Sequence, residues 1–388
     1  MNVIRPFFNA ILIPVFGLIA CGGDSSDSNP VTPESSSSIE IVDSSSSVAL
    51  SSSDGGIDYS PAIRMNKLLG KGINLGNSWD AGRSNADVNT VYDYSDDYWS
   101  NPIQDEWFTI VKAAGFNSIR LPVRWNQTAE NVAPYTLQAS RVAGVKEDVR
   151  IANSLGMPVI IDVHHYLELY ADPLGQEAKF FGIWRQIAEE FKDFSNDSLV
   201  FEILNESRGA SDAYLNEFID SVYHIIRATN PGRTIIVNPG NWGKFEEMAK
   251  LVLPADGNMI ISGHYYDPFS FTHQGHDDRA CGVLWDTTNQ TALATMVSDF
   301  KSYIALAKKL FPGKNKTYIP LNVGEFGASS ACTDVSDANR ASYFKDLLEV
   351  MNGLGLSWHY WGFTGVGFDA YNKAASAWYP EILQVLVQ

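Results

Sequence analysis

From about Tyr59 onward, short runs of β-branched and aromatic residues alternate with longer stretches whose apolar positions recur three and four apart. The short runs predict strands at 72–75, 118–122, 158–163, 199–204, 234–238, 259–264, 318–324 and 356–361. The longer ones predict helices at 102–114, 140–155, 179–194, 211–229, 291–311 and 337–352; in the last, Tyr343, Leu347, Val350 and Met351 share one stripe. Strand and helix in alternation imply parallel strands, and eight such units in about 330 residues imply an α/β fold closed as a single (β/α)8 barrel. The alternative is an open doubly wound sheet. It would need a glycine-rich phosphate loop after the first strand, and Gly72-Ile73-Asn74-Leu75-Gly76-Asn77 lacks both the third glycine and a helix start.

The first sixty residues do not share this rhythm. Residues 1–20 carry a lone Arg5 and an apolar run from Pro6 to Ala20, too short for a permanent membrane span, and read as an export signal. Leu18-Ile19-Ala20-Cys21 has the form of a lipobox, with Cys21 as the lipidated residue and the cell surface or outer membrane as destination; a plain secretory peptide is the alternative. Residues 21–60 are serine-rich and acidic and hold too little apolar surface to offset ordering, so they predict a disordered tether before a catalytic domain at 61–388. Of the 45 acidic and 28 basic side chains, seven acids and one base lie in 1–60, leaving the domain at a net −11. Such a domain excludes nucleic acid and anionic lipid as partners and suits a neutral polymer. Cys281 and Cys332 are the cysteines left to the domain, and an oxidising compartment favours their pairing over two free thiols.

Polar and ionisable residues gather at the C-terminal ends of the predicted strands, where barrel enzymes build their sites: Arg120, His164, Asn205-Glu206, His264 to Tyr266, Glu325 and Trp361. Alternation along the strands places Glu202, Leu204 and Glu206 on one face and Val323 with Glu325 on another, so Glu206 and Glu325 both point inward. Two carboxylates from different strands can flank a glycosidic bond, one as proton donor and one as nucleophile, provided their pKa values are split. Arg120 and Tyr266 are the expected partners of an ionised Glu325; Glu206, with no basic neighbour evident, suits the acid/base role. Glu202 is expected to be a structural charge that needs a partner.

At this point Gly72 to Asn77, Ile119-Arg120-Leu121-Pro122-Val123-Arg124-Trp125, Asp162-Val163-His164-His165, Asn205-Glu206, His264-Tyr265-Tyr266, Gly324-Glu325-Phe326 and Trp358 to Trp361, taken in order, resemble glycoside hydrolase family 5. The resemblance implies Glu206 as acid/base, Glu325 as nucleophile, Asn205 at the sugar 2-hydroxyl, and Arg120, His164, His264 and Tyr266 as the orienting shell, with Trp361 under the cleaved sugar. It also implies retention, with carboxyl groups about 5–5.5 Å apart rather than roughly 6.5–9.5 Å. One departure stands out: Ser207 replaces the family's usual proline, which should tune rather than abolish activity.

With ten tryptophans and seventeen tyrosines, several just past strand ends, the chain offers faces for pyranose rings; Trp361, Trp242 and Trp79 are the expected platforms, while Trp107 and Trp184 fall within helices as packing. The pairs His164-His165 and His273/His276, the latter beside Asp277-Asp278, have metal-like spacing, but glycosidase chemistry needs neither metal nor cofactor and none is expected. The resulting expectation is a monomeric, exported, lipid-anchored endo-β-1,4-glucanase acting on β-glucan polysaccharide. Its rivals are a β-mannanase or xyloglucanase of the same family and a non-catalytic glycan-binding lipoprotein.

Overall fold

A computed structural model describes residues 56–276 and 278–388; the expected signal, the lipobox and all but the end of the tether lie outside them. The strands are β1 Lys71–Asn74, β2 Ser118–Leu121, β3 Val159–Asp162, β4 Leu199–Glu202, β5 Ile235–Val237, β6 Met259–His264, β7 Leu321–Phe326 and β8 Ser357–Tyr360. They close in sequence order into a parallel barrel, with β1 paired to β8. Each strand is short and buried along its whole length apart from Lys71, as expected where helices cover a parallel barrel outside and side chains fill it inside.

Helices Asp105–Ala114, Ala139–Ser154, Pro173–Glu190, Leu215–Thr229, Gln290–Leu310 and Asp337–Gly353 correspond to the six predicted ones. Helix Pro173–Glu190 starts six residues before its predicted onset, because Asp172 accepts the Gly175 amide as N-cap and Pro173 takes the first turn, where its missing N–H costs nothing.

Two features were not read from the sequence. Helix Ser60–Leu69 places Ala62, Met65 and Leu69 against Ile160, Val200, Ile236 and Ile260 from β3 to β6, forming an apolar plug at the N-terminal end of the barrel. The described residues therefore reach into the expected tether as part of the fold: Tyr59 is buried and Ile57 bridges to Gly313. Strand β7 also runs later than predicted. Tyr318 forms an isolated bridge with Pro312 instead, and β7 slips in register against β6, with Gly263 opposite Val323 but His264 opposite Glu325. The extra residue, Gly324, is a bulge of the kind that re-aims a side chain at a barrel rim.

Candidate active site

Above the plug the barrel interior turns polar. Ser118, Ser262, Asn322, Ser357 and His359 form a buried hydrogen-bonded layer. Over that layer lies the fully buried guanidinium of Arg120, which donates from Nε to Glu202 Oε2 at 2.8 Å and from Nη2 to Glu202 Oε1 at 2.9 Å, Asp162 Oδ2 at 2.8 Å and Asn205 Oδ1 at 2.7 Å. Its Nη1 donates to Asn74 Oδ1 at 3.0 Å and to Glu325 Oε1 at 2.8 Å. One planar cation thus links β1, β2, β3, β4 and β7, with a donor fork suited to carboxylates. Glu202 has the structural partner it was expected to need, and Asn238 Nδ2 donates to it as well. Asp162, Asn74 and Asn238 belong to this site, yet sequence reasoning left them out of it; the signal was their position at the ends of β3, β1 and β5.

Glu206 does not continue the β4 alternation. Its backbone is left-handed, at φ 46°, a costly conformation for a non-glycine residue, and Asn238 Oδ1 accepts its amide at 3.3 Å. This turn brings its carboxylate toward β6, where His264 Nδ1 lies 2.8 Å from Glu206 Oε1 and 3.5 Å from Glu325 Oε2. Tyr266 donates to Glu325 Oε2 at 3.0 Å. One atom from each of Glu206, His264 and Glu325 lies within 4.8 Å of the others.

The electrostatics couple the two acids through His264. Burial works against ionising Glu206, but the His264 hydrogen bond and charge, with Arg208 and His164, overcome it and hold the carboxyl down to about 2. Burial pushes Glu325 up to about 7 against His264 and Arg120, and the Glu206 charge adds to the rise. For His264, burial opposes protonation, yet Glu325 and Glu206 outweigh it and raise the imidazole. The cations facing Glu206 come from the β6 end and from Arg208, whose Nη1 is 3.9 Å from Oε2; proximity in sequence could not reveal the first. His164 donates or accepts at Nδ1 with Asp162 at 2.7 Å, and burial holds it well below its usual range, neutral.

The aromatic expectations divide. Trp361 is half-buried at the end of β8, its ring parallel to His164 at 6.0 Å, and a Cβ at Gly76 would come within 2.5 Å of that ring, so only glycine fits there. Trp242 is 47% exposed after β5, on left-handed backbone. Trp79 is a correction: its ring is buried under Gly144 and Arg141 and its Nε1 donates to Asp148 Oδ2 at 2.6 Å, so it packs helix Ala139–Ser154 and presents no face to the cleft. Trp107 and Trp184 are buried as expected. His273 and His276 stack on Phe269 and Phe368. Asp80, His164 and His165 also lie close together, with His165 Nε2 3.6 Å from Asp80 Oδ2. Cys281 and Cys332 form a disulfide between the loops that follow β6 and β7.

A sequence model described as cellulase (glycosyl hydrolase family 5) matches residues 80–366, more than half of the chain. The chain belongs to glycoside hydrolase family 5. Among family 5 relatives, it is 31% identical to "Endoglucanase H" of Acetivibrio thermocellus over 73% of its own length and 29% of that protein's. It is 27% identical to a "Xyloglucan-specific endo-beta-1,4-glucanase" of Bacteroides ovatus, over 56% and 47% of the two chains. Solved structures of Thermotoga maritima Cel5A, in complexes with cellobiose and with mannotriose, superpose with a TM-score of 0.74 at 31% identity, covering 84% of this chain and 99% of theirs. The chain spans only 29%, 40% and 55% of three of the curated relatives it matches.

Proposed function

We propose that this family 5 chain is a retaining, endo-acting β-1,4-glucanase that cleaves internal bonds of cellulose-like or mixed-linkage β-glucans. The observation that carries the reading is the pair Glu206 and Glu325, each with a carboxylate oxygen within 4.8 Å of the other's. That closeness supports a double displacement, whose carboxyls stand about 5–5.5 Å apart, over an inverting pair roughly 6.5–9.5 Å apart. In this reading Glu325 attacks the anomeric carbon while Glu206 protonates the departing oxygen; Glu206 then removes a proton from water, which releases the sugar with its configuration retained. Two donors, Arg120 Nη1 and Tyr266 Oη, favour the charged nucleophile. Because one nitrogen of His264 faces both carboxylates, the proton that burial keeps near Glu325 has a short route to Glu206. Asn205, held by Arg120 and by Tyr170 at its carbonyl, is assigned to the sugar 2-hydroxyl.

Trp361 is assigned to the ring being cleaved and Trp242 to a sugar on the far side of Glu206. The names of the relatives support a β-glucan as substrate. Hydrolysis of carboxymethylcellulose, barley glucan, xyloglucan and mannan in parallel tests this. Activity confined to mannan would overturn the glucanase assignment, and binding without release of reducing ends would make the chain a glycan-binding protein. Glu325→Gln and Glu206→Gln are each expected to lower kcat on barley glucan by about 10³-fold or more.

We also infer that the chain is exported and anchored through lipid on Cys21, with a tether from there to about residue 55 and the catalytic domain at 56–388. The support is the apolar run ending at Leu18-Ile19-Ala20-Cys21. Labelling with radioactive palmitate that persists in Cys21→Ser would overturn the anchor.

A further inference from the structure

One carboxylate and a direct backbone hydrogen bond tie the segment carrying Glu206 to the segment carrying Trp242. Ser207 is fully buried, and its Oγ donates to Asp212 Oδ1 at 2.8 Å. The other oxygen, Asp212 Oδ2, accepts the Asn241 amide at 3.0 Å. The Trp242 amide then donates to the Ser207 carbonyl at 3.0 Å, closing a ring of contacts between the loops after β4 and β5. Both loops hold unusual backbone here: Glu206 has φ 46°, Asn241 52° and Trp242 67°. A Cβ on Gly240 would lie 2.9 Å from Asp212 Oδ1, so the loop approaches the carboxylate as closely as glycine allows. Arg208 fills the space between, its guanidinium carbon 3.8 Å from the Trp242 ring centre and 4.3 Å from that of Tyr170, while Nη1 donates to the Glu206 carbonyl at 3.0 Å.

We propose that Asp212 is a positioning residue which, through Ser207 Oγ and the Asn241 amide, locks Glu206 and the Trp242 ring into one rigid unit and so sets how the departing half of the polysaccharide is held during cleavage. The inference rests on the glucanase reading, in which Glu206 delivers its proton to the departing oxygen. The sugar bearing that oxygen lies beyond Glu206, on the side where Trp242 exposes its ring. A proton donor and a sugar platform that move together keep the oxygen in line with the acid; if they move separately, alignment is lost although both side chains remain. Left-handed backbone at three positions persists only where surrounding contacts over-determine it, and the Asp212 carboxylate provides two of those contacts.

The test compares two substrates in the same preparation, so that the ratio of rates is independent of the folded fraction. Cellopentaose needs both proton transfer and a sugar on the departing side; a dinitrophenyl cellobioside has a leaving group that departs without a proton and is not a sugar. Ser207→Ala and Asp212→Asn are each expected to lower kcat/KM on cellopentaose by about tenfold, with a loss on the aryl cellobioside several times smaller. Ser207→Thr, which keeps the hydroxyl, should restore most of the cellopentaose rate. Combining Ser207→Ala with Trp242→Ala should cost little more than the larger single change, because the two act as one unit. Equal losses on the two substrates, or fully additive losses in the double variant, overturn the proposal while leaving the glucanase reading intact. An unmodified chain that cleaves neither compound overturns both.

Discussion

Glu325 receives a hydrogen bond on each of its oxygens, from Arg120 on one and Tyr266 on the other, and still burial raises it to about 7. The carboxyls and His264 titrate together, so the property of consequence is how many protons the group holds. As pH rises through about 7 Glu325 gives up its proton, and the group has one fewer to pass to a departing oxygen. The profile of kcat/KM against pH on barley glucan is therefore expected to fall on its alkaline side near pH 7. Tyr266→Phe removes a donor that favours the charged form of Glu325, so its alkaline limb should move to higher pH by about half a unit or more while kcat drops. A limb that stays in place would show that the Tyr266 hydroxyl does not act on this carboxylate.

At the scale of elements, the loops after β6 and β7 reach the cleft from adjacent strands and are joined by Cys281–Cys332, 51 residues apart in sequence. That link adds to the Ser329 amide, which donates to the Thr272 carbonyl at 2.8 Å between the same two loops. Replacing both cysteines with serine is expected to lower stability by about 2–4 kcal/mol, measured by guanidinium unfolding under non-reducing conditions. An unchanged midpoint would mean the bridge is absent or without effect. The bulge at Gly324 is the other element-scale device: it sets Glu325 opposite His264, a pairing that the alternation of strand residues alone would not give. Alternation likewise predicts Glu206 to continue the face of Glu202, whereas a left-handed turn carries it across β5 to His264.

For the molecule as a whole, the net charge of −17 bears on substrates more than on the fold. An acidic enzyme repels an anionic polymer, so KM for carboxymethylcellulose should fall by about threefold between low salt and 0.2 M sodium chloride, while KM for neutral barley glucan holds steady. Equal salt dependence on the two would remove charge as the cause. Most of the architecture was legible because eight apolar runs and six helical stripes recur at barrel spacing, and because chemistry gathers where those runs end. What escaped was decided by contacts distant in sequence. The helix Ser60–Leu69 is short and shows its purpose only against Ile160, Val200, Ile236 and Ile260. Trp79 has the same local signature as Trp361, and only the approach of Arg141 and Asp148 turns it into a core residue. The coupling of the two acids depended on His264, which reaches Glu206 from two strands away. Arg120 shows what such a site withholds from the fold. A single guanidinium faces the carboxyls of Asp162, Glu202 and Glu325, more buried acid than it can neutralise. Glu325, held above its ordinary value when folded, gives up stability as pH rises through about 7. At pH 8 the inactive Glu325→Gln chain should then outlast the active one, by on the order of 2 kcal/mol or about 3 °C in Tm. Activity in this barrel would thus be carried as a standing deficit in heat resistance, recoverable by deleting a single charge.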